Sequence, residues 1–138
     1  RFYIVCNFNF SAACAIPDTD TVVITGGRGT STKVTRYNDQ GWQEDLPDLS
    51  IGRSEHACSD GRRVSKCFLS ETCILKSVED VLVTGGRGSL SSYLDSTEIY
   101  DPDSGSWSAG AALPSPMRGL RAISIDNRVL IFGIDTLL

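Results

Sequence analysis

Val22-Val23-Ile24-Thr25-Gly26-Gly27-Arg28-Gly29 returns almost letter for letter as Val81-Leu82-Val83-Thr84-Gly85-Gly86-Arg87-Gly88. A weaker third copy reads Val129-Leu130-Ile131-Phe132-Gly133-Ile134. An apolar, β-branched run closed by glycine and used repeatedly is the mark of a repeat architecture. Here the unbroken apolar runs predict strands buried on both faces.

Working outward, each glycine strand is preceded by another short strand and a polar turn. The first strands read Ala13-Cys14-Ala15-Ile16, Ala57-Cys58-Ser59 and Ala122-Ile123-Ser124-Ile125. The turns are Pro17-Asp18-Thr19-Asp20, Asp60-Gly61-Arg62-Arg63 and Asp126-Asn127-Arg128. Asp, Asn and Gly tolerate left-handed backbone and Pro fixes φ, so each stretch predicts a β-hairpin. A second hairpin follows the glycines. Its strands carry Tyr37 and Trp42 in the first copy, and Tyr100 and Trp107 in the second. Leu46-Pro47 or Leu113-Pro114 then ends the outer strand. Arg53-x-x-His56-Ala57 or Arg118-x-x-Arg121-Ala122 leads into the next unit. The unit is therefore four short antiparallel strands without a helix, as in a propeller blade.

Apolar run, Gly-Gly, spaced Tyr and Trp, Leu-Pro and Arg-x-x-His-Ala, in that order and twice over, resemble the kelch repeat. The resemblance implies an all-β, kelch-type β-propeller, with blade-like units over about 12–64 and 82–134. It implies about two blades plus flanking strands, with the aromatics filling the wedge between blades. Gly133 is followed by Ile134, so the third copy lacks the double glycine. Propellers close with about four to eight blades. The expectation is therefore part of a longer propeller, or assembly from several copies. Arg1 in place of Met fits the first of these. Residues 2–10 read as a strand in preference to a truncated signal peptide.

The interval from Gly26 to Gly85 is longer than that from Gly85 to Gly133, and the excess falls in residues 65–81. This insertion reads as a loop, a short helix, or a gene-model artefact such as retained intron sequence. The five cysteines are Cys6, Cys14, Cys58, Cys67 and Cys73. None forms a C-x-x-C pair, so a zinc site is not expected. Buried free thiols are the preferred reading.

The chain of 138 residues has 41% hydrophobic content and a net charge of −4. No basic cluster suggests nucleic acid, and no apolar stretch reaches the roughly 20 residues of a membrane helix. Cytoplasmic and extracellular settings both stay open.

The resemblance also implies a protein-interaction module, binding a protein partner through loops at the propeller mouth, with no catalysis and no cofactor. Arg28 and Arg87 directly follow the glycines, where guanidinium groups suit an acidic or phosphorylated segment. Thr30, Ser89 and Ser54 are the accompanying binding candidates, with Gly119 in the place of Ser54 in the next copy. The alternatives are a piece of a galactose oxidase-like or sialate mutarotase-like enzyme, or an inactive partial product. His56, the only histidine, reads as a strand-tying residue rather than a base or copper ligand.

Overall fold

The computed structural model describes residues 11–16, 20–29, 31–60, 66–67, 80–125 and 128–135. The first blade contains β1 (Ala12–Ala15), β2 (Val22–Thr25), β3 (Val34–Asn38) and β4 (Gly41–Gln43), in that spatial order. All three pairings are antiparallel. The second blade has the same plan: β5 (Ala57–Asp60), β7 (Val81–Arg87), β8 (Tyr93–Asp101) and β9 (Ser106–Ala109). A third unit supplies β10 (Met117–Ile125) and β11 (Arg128–Asp135), paired antiparallel. One residue pair, Met117 with Leu94, joins the second and third units edge to edge. Among the described residues, the helical structure is one 3₁₀ turn, Ser89–Ser91.

The expected insertion lies mostly outside the described residues. Its Lys66–Cys67 form β6, a short parallel partner of β11. The strand expected over residues 2–10 also lies outside them.

Period-two alternation sorts the side chains between two packing layers. From the second blade, Val81, Val83, Cys58 and Tyr100 pack with Val23 and Val34 of the first. On the opposite face, Ile99 meets Val129, and Ala57 meets Leu120 of the third unit. Val81, Leu82 and Val83 are therefore all fully buried, as an unbroken apolar strand requires. Each aromatic pair lies across neighbouring outer strands. Ring centroids are 5.0 Å apart for Tyr37–Trp42 and 5.3 Å for Tyr100–Trp107. The Trp107 indole N–H donates to the Pro47 carbonyl at 2.8 Å, pinning the Leu46-Pro47 bend to the second blade.

The innermost strands carry small residues because they crowd together near the axis. Ser59 of β5 and Ser124 of β10 share a hydrogen bond of 2.7 Å. Cys14 of β1 and Cys58 of β5 form a disulfide, with Cα atoms 5.6 Å apart. This corrects the free-thiol expectation for these two cysteines. They are 44 residues apart in sequence, and only the packing of adjacent blades brings them together.

The blades are clasped by a buried ion pair. Arg53 is fully buried, and its Nη2 donates to Glu98 Oε1 at 2.8 Å. Its Nη1 donates to the carbonyls of Gly85 and Ser96, each at 3.0 Å. Glu98 in turn accepts the Ser50 and Ile51 backbone N–H groups at 2.7 and 3.2 Å. One guanidinium and one carboxylate thus fasten the inter-blade linker to β8. Burial lowers the Arg53 pKa from its ordinary value, and the Glu98 carboxylate opposes that shift.

The paired glycines are architectural. Gly26 and Gly85 adopt φ of 63° and 60°, in the left-handed region where a Cβ is strained. A Cβ on Gly26 would stand 2.3 Å from the Arg53 carbonyl oxygen. Gly133, by contrast, sits within β11, which runs on to Asp135 without a left-handed turn there.

Two stability measurements test this account by chemical denaturation. Arg53→Met is expected to cost about 3–5 kcal/mol, because it leaves Glu98 buried and unpaired. The double replacement Arg53→Met with Glu98→Leu should recover part of that loss. Gly26→Ala should cost about 3 kcal/mol, from strained backbone plus a clash with rigid main chain. Gly105→Ala, at a φ of 64° with open space around the added methyl, should cost only about 1 kcal/mol.

Candidate mouth cleft

The linker segment after the Arg53 clasp builds one end of the molecule. The Gly27 N–H donates to the Arg53 carbonyl at 2.9 Å, placing the first glycine loop beside it. On the other side, Ser54 and Arg87 exchange two backbone hydrogen bonds of 2.9 and 2.7 Å. Residues 53–54 are therefore held between the two glycine loops that sequence reasoning singled out.

Arg28 and Arg87 are both exposed beside this segment. Ser54 is buried, and its bridging role is carried by its backbone. Ser89 is exposed in the 3₁₀ turn, and its carbonyl accepts the Ser92 N–H and hydroxyl. Thr30 lies outside the described residues.

An open cleft of about 550 Å³ lies where the innermost strands begin. Ser11–Ala13, Glu55–Cys58 and Gly119–Ala122 form its wall. Of the residues named from the sequence for binding, only Gly119 lines it; Ser54 precedes its lining residue Glu55 and bridges to Arg87, and Arg28 and Ser89 are not among its lining. Glu55, His56 and Arg121 are its ionisable lining residues. Glu55 holds φ at 54°, in the left-handed region, and its carbonyl accepts the Leu120 N–H at 3.1 Å. Its carboxylate pairs with Arg118 at 3.4 Å, and the Arg118 guanidinium lies 5.7 Å from the Tyr93 ring centroid.

Sequence reasoning passed over Glu55, Arg118 and Arg121 as cleft residues. The arginines were visible in the repeat motif but read as connectors. Glu55 has no signal except its place beside His56.

His56 is buried against the cleft wall. Its Nε2 lies 2.7 Å from Thr25 Oγ1, so it ties β5 to β2 of the preceding blade. Nδ1 has no hydrogen-bond partner among the described residues. Burial, reinforced by the nearby Arg53 charge, lowers the His56 pKa to about 3. At neutral pH this imidazole is a structural hydrogen-bonding group, and it stays neutral well into acid. Among the described residues, no three His, Cys, Asp or Glu side chains gather as a metal site.

The folded chain holds His56 neutral down to about pH 3, while the unfolded chain protonates it near its ordinary 6.5. Its contribution is therefore complete above the unfolded pKa and drains away as pH falls through this window. The slope is about 1.4 kcal/mol per pH unit. Urea midpoints measured between neutral and acidic pH should fall more steeply for the wild type than for His56→Gln. Parallel curves would show that His56 does not titrate in this way.

Residues 75–114 match the family model described as the Kelch motif. Kelch-like protein 23 of Mus musculus and that of Homo sapiens are each 28% identical to this chain over 115 residues. The match covers 83% of this chain and 18% of each relative. The chain thus spans under a fifth of the length of these curated relatives. The solved structure of YjhT has the same fold, with a TM-score of 0.68 at 21% identity. That likeness covers 93% of this chain and 34% of the YjhT chain. With two four-stranded blades and a third begun, the chain has the fold of an incomplete kelch-type β-propeller and carries a match to the Kelch motif over residues 75–114.

Proposed function

We propose that this chain is a protein-interaction module that takes an acidic segment of a partner protein at the propeller mouth. The observation that carries the reading is the placing of two exposed arginines, Arg28 and Arg87, on the two glycine loops that bond to residues 53–54, in a chain of net charge −4. Arg28 and Arg87 are exposed on loops held beside residues 53–54. Arg121 lines the adjoining cleft, and Arg118 reaches Glu55 on its wall. Guanidinium groups bind carboxylates and phosphates in bidentate geometry, and rigid strands under the loops preorganise them. Ser89, two residues after Arg87, and Thr30, two after Arg28 in sequence, are the accompanying hydroxyl candidates, and Ser54 bridges to Arg87 through its backbone.

Catalysis is not part of this reading. The only histidine is neutral, buried and committed to Thr25, whereas a general base needs a pKa near the working pH and access to substrate.

Fluorescence anisotropy with a labelled Asp/Glu-rich peptide tests the proposal. The wild type should bind it, with affinity falling as salt rises. Arg28→Ala with Arg87→Ala should weaken binding at least about tenfold, about 1.4 kcal/mol, without changing the circular dichroism spectrum. Equal affinity for the double variant would remove the two arginines from the site.

A further inference from the structure

Arg87, Tyr93 and Arg118 stand in a row at the mouth. Arg87 on β7 is the cross-strand partner of Tyr93 on β8, so both side chains emerge on one face. Arg118 follows Met117, which pairs with Leu94 beside Tyr93, and its guanidinium lies 5.7 Å from the Tyr93 ring centroid. One aromatic ring, 39% exposed, thus stands between two cations. They differ in what they face. Arg87 is exposed on its loop, whereas Arg118 is capped by the Glu55 carboxylate at 3.4 Å.

That cap does little to hold the fold. The clasp pair Arg53–Glu98 closes to 2.8 Å with its side chains 0% and 6% exposed. The Arg118–Glu55 contact is longer, with its side chains 39% and 20% exposed, and a pair of that kind adds little to stability. The chain path at residue 55 is held by backbone instead. The Glu55 carbonyl accepts the Leu120 N–H, and Ser54 bridges Arg87. Glu55 holds φ at 54°, where glycine would sit without strain. Backbone strain of this kind gathers at ligand clamps and switch points.

We infer that Glu55 is an internal competitor for the acidic segment: its carboxylate caps Arg118 in the free chain, and a carboxylate of the partner displaces it, so that Arg118 joins Arg87 across Tyr93. The inference rests on the reading of the mouth as an acidic-segment site. Exchanging one carboxylate for another keeps the Arg118 charge paired throughout, so the cap weakens binding without closing the site. Glu55, Arg87, Tyr93 and Arg118 all belong to the linker, the second blade and the third unit, whose mutual contacts are within the described residues.

Fluorescence anisotropy with a labelled Asp/Glu-rich peptide tests it on the intact chain. Glu55→Gln should bind the peptide about three- to fivefold more tightly than the wild type, the worth of a part-exposed ion pair. The gain should vanish when Arg118→Ala is combined with it. Glu55→Gly removes the same carboxylate and relieves the left-handed backbone, so it should bind at least as tightly and unfold at a higher urea concentration. Glu44→Gln makes the same change of net charge at an exposed site outside the cleft lining and should leave affinity unchanged. Wild-type affinity in both Glu55 variants would overturn the inference, as would a gain that persists with Arg118→Ala, or no binding by any of them. The loop arginines are judged separately. If Arg28→Ala with Arg87→Ala weakens binding while Glu55→Gln does nothing, the cap fails and the mouth reading stands. If the loop double variant has no effect while Glu55→Gln gains affinity through Arg118, the loop arginines fail and the cap stands.

Discussion

The fully buried Arg53–Glu98 pair is the constraint on which the described structure depends. A buried charge is tolerable only when its hydrogen bonds are met. Here both partners spend theirs on backbone that no regular sheet would satisfy. Arg53 takes up carbonyls of Gly85 and Ser96, and Glu98 takes up the N–H groups of Ser50 and Ile51. The linker between blades, which has few ladder hydrogen bonds of its own, is thereby as fixed as a strand. The next few residues, Ser54, Glu55 and His56, inherit that precision.

What the clasp positions is the mouth. Ser54 bridges the second glycine loop, Glu55 turns through left-handed backbone, and His56 reaches back to Thr25. Three consecutive residues thus touch three separate elements. The glycines make room for this crossing, since a Cβ on Gly26 or Gly86 would strike the same linker. Glycine pair and arginine motif are one device seen from its two sides. Function at this end, in the reading favoured above, uses the exposed arginines Arg28 and Arg87 beside it.

The same blade logic explains the outer faces. Apolar alternation gives each blade two packing surfaces, and stacking satisfies both only for a blade with neighbours on each side. Leu82 and Ile99 are buried because the second blade has such neighbours. Phe132, on β11, the counterpart of β7, and Trp42, on β4, the counterpart of β9, are exposed.

Much of this was legible in the chain itself. The twin glycine strands, the hairpins before and after them, and the Tyr–Trp pairs all rest on interactions local in sequence, which composition and spacing encode directly. The sequence alone therefore determined the four-stranded unit, its repetition, and the loops carrying Arg28 and Arg87. Other features rest on contacts between residues many positions apart. The Cys14–Cys58 bridge and the Ser59–Ser124 bond each join different blades, and the Arg53–Glu98 clasp joins the inter-blade linker to β8. So does the meeting of Glu55 with Arg118 at the cleft. A one-dimensional pattern records which residues share a strand face, but not which face of the next blade comes to meet it. Only tertiary packing decided that, because blade-to-blade distance and rotation arise from how the whole faces interlock.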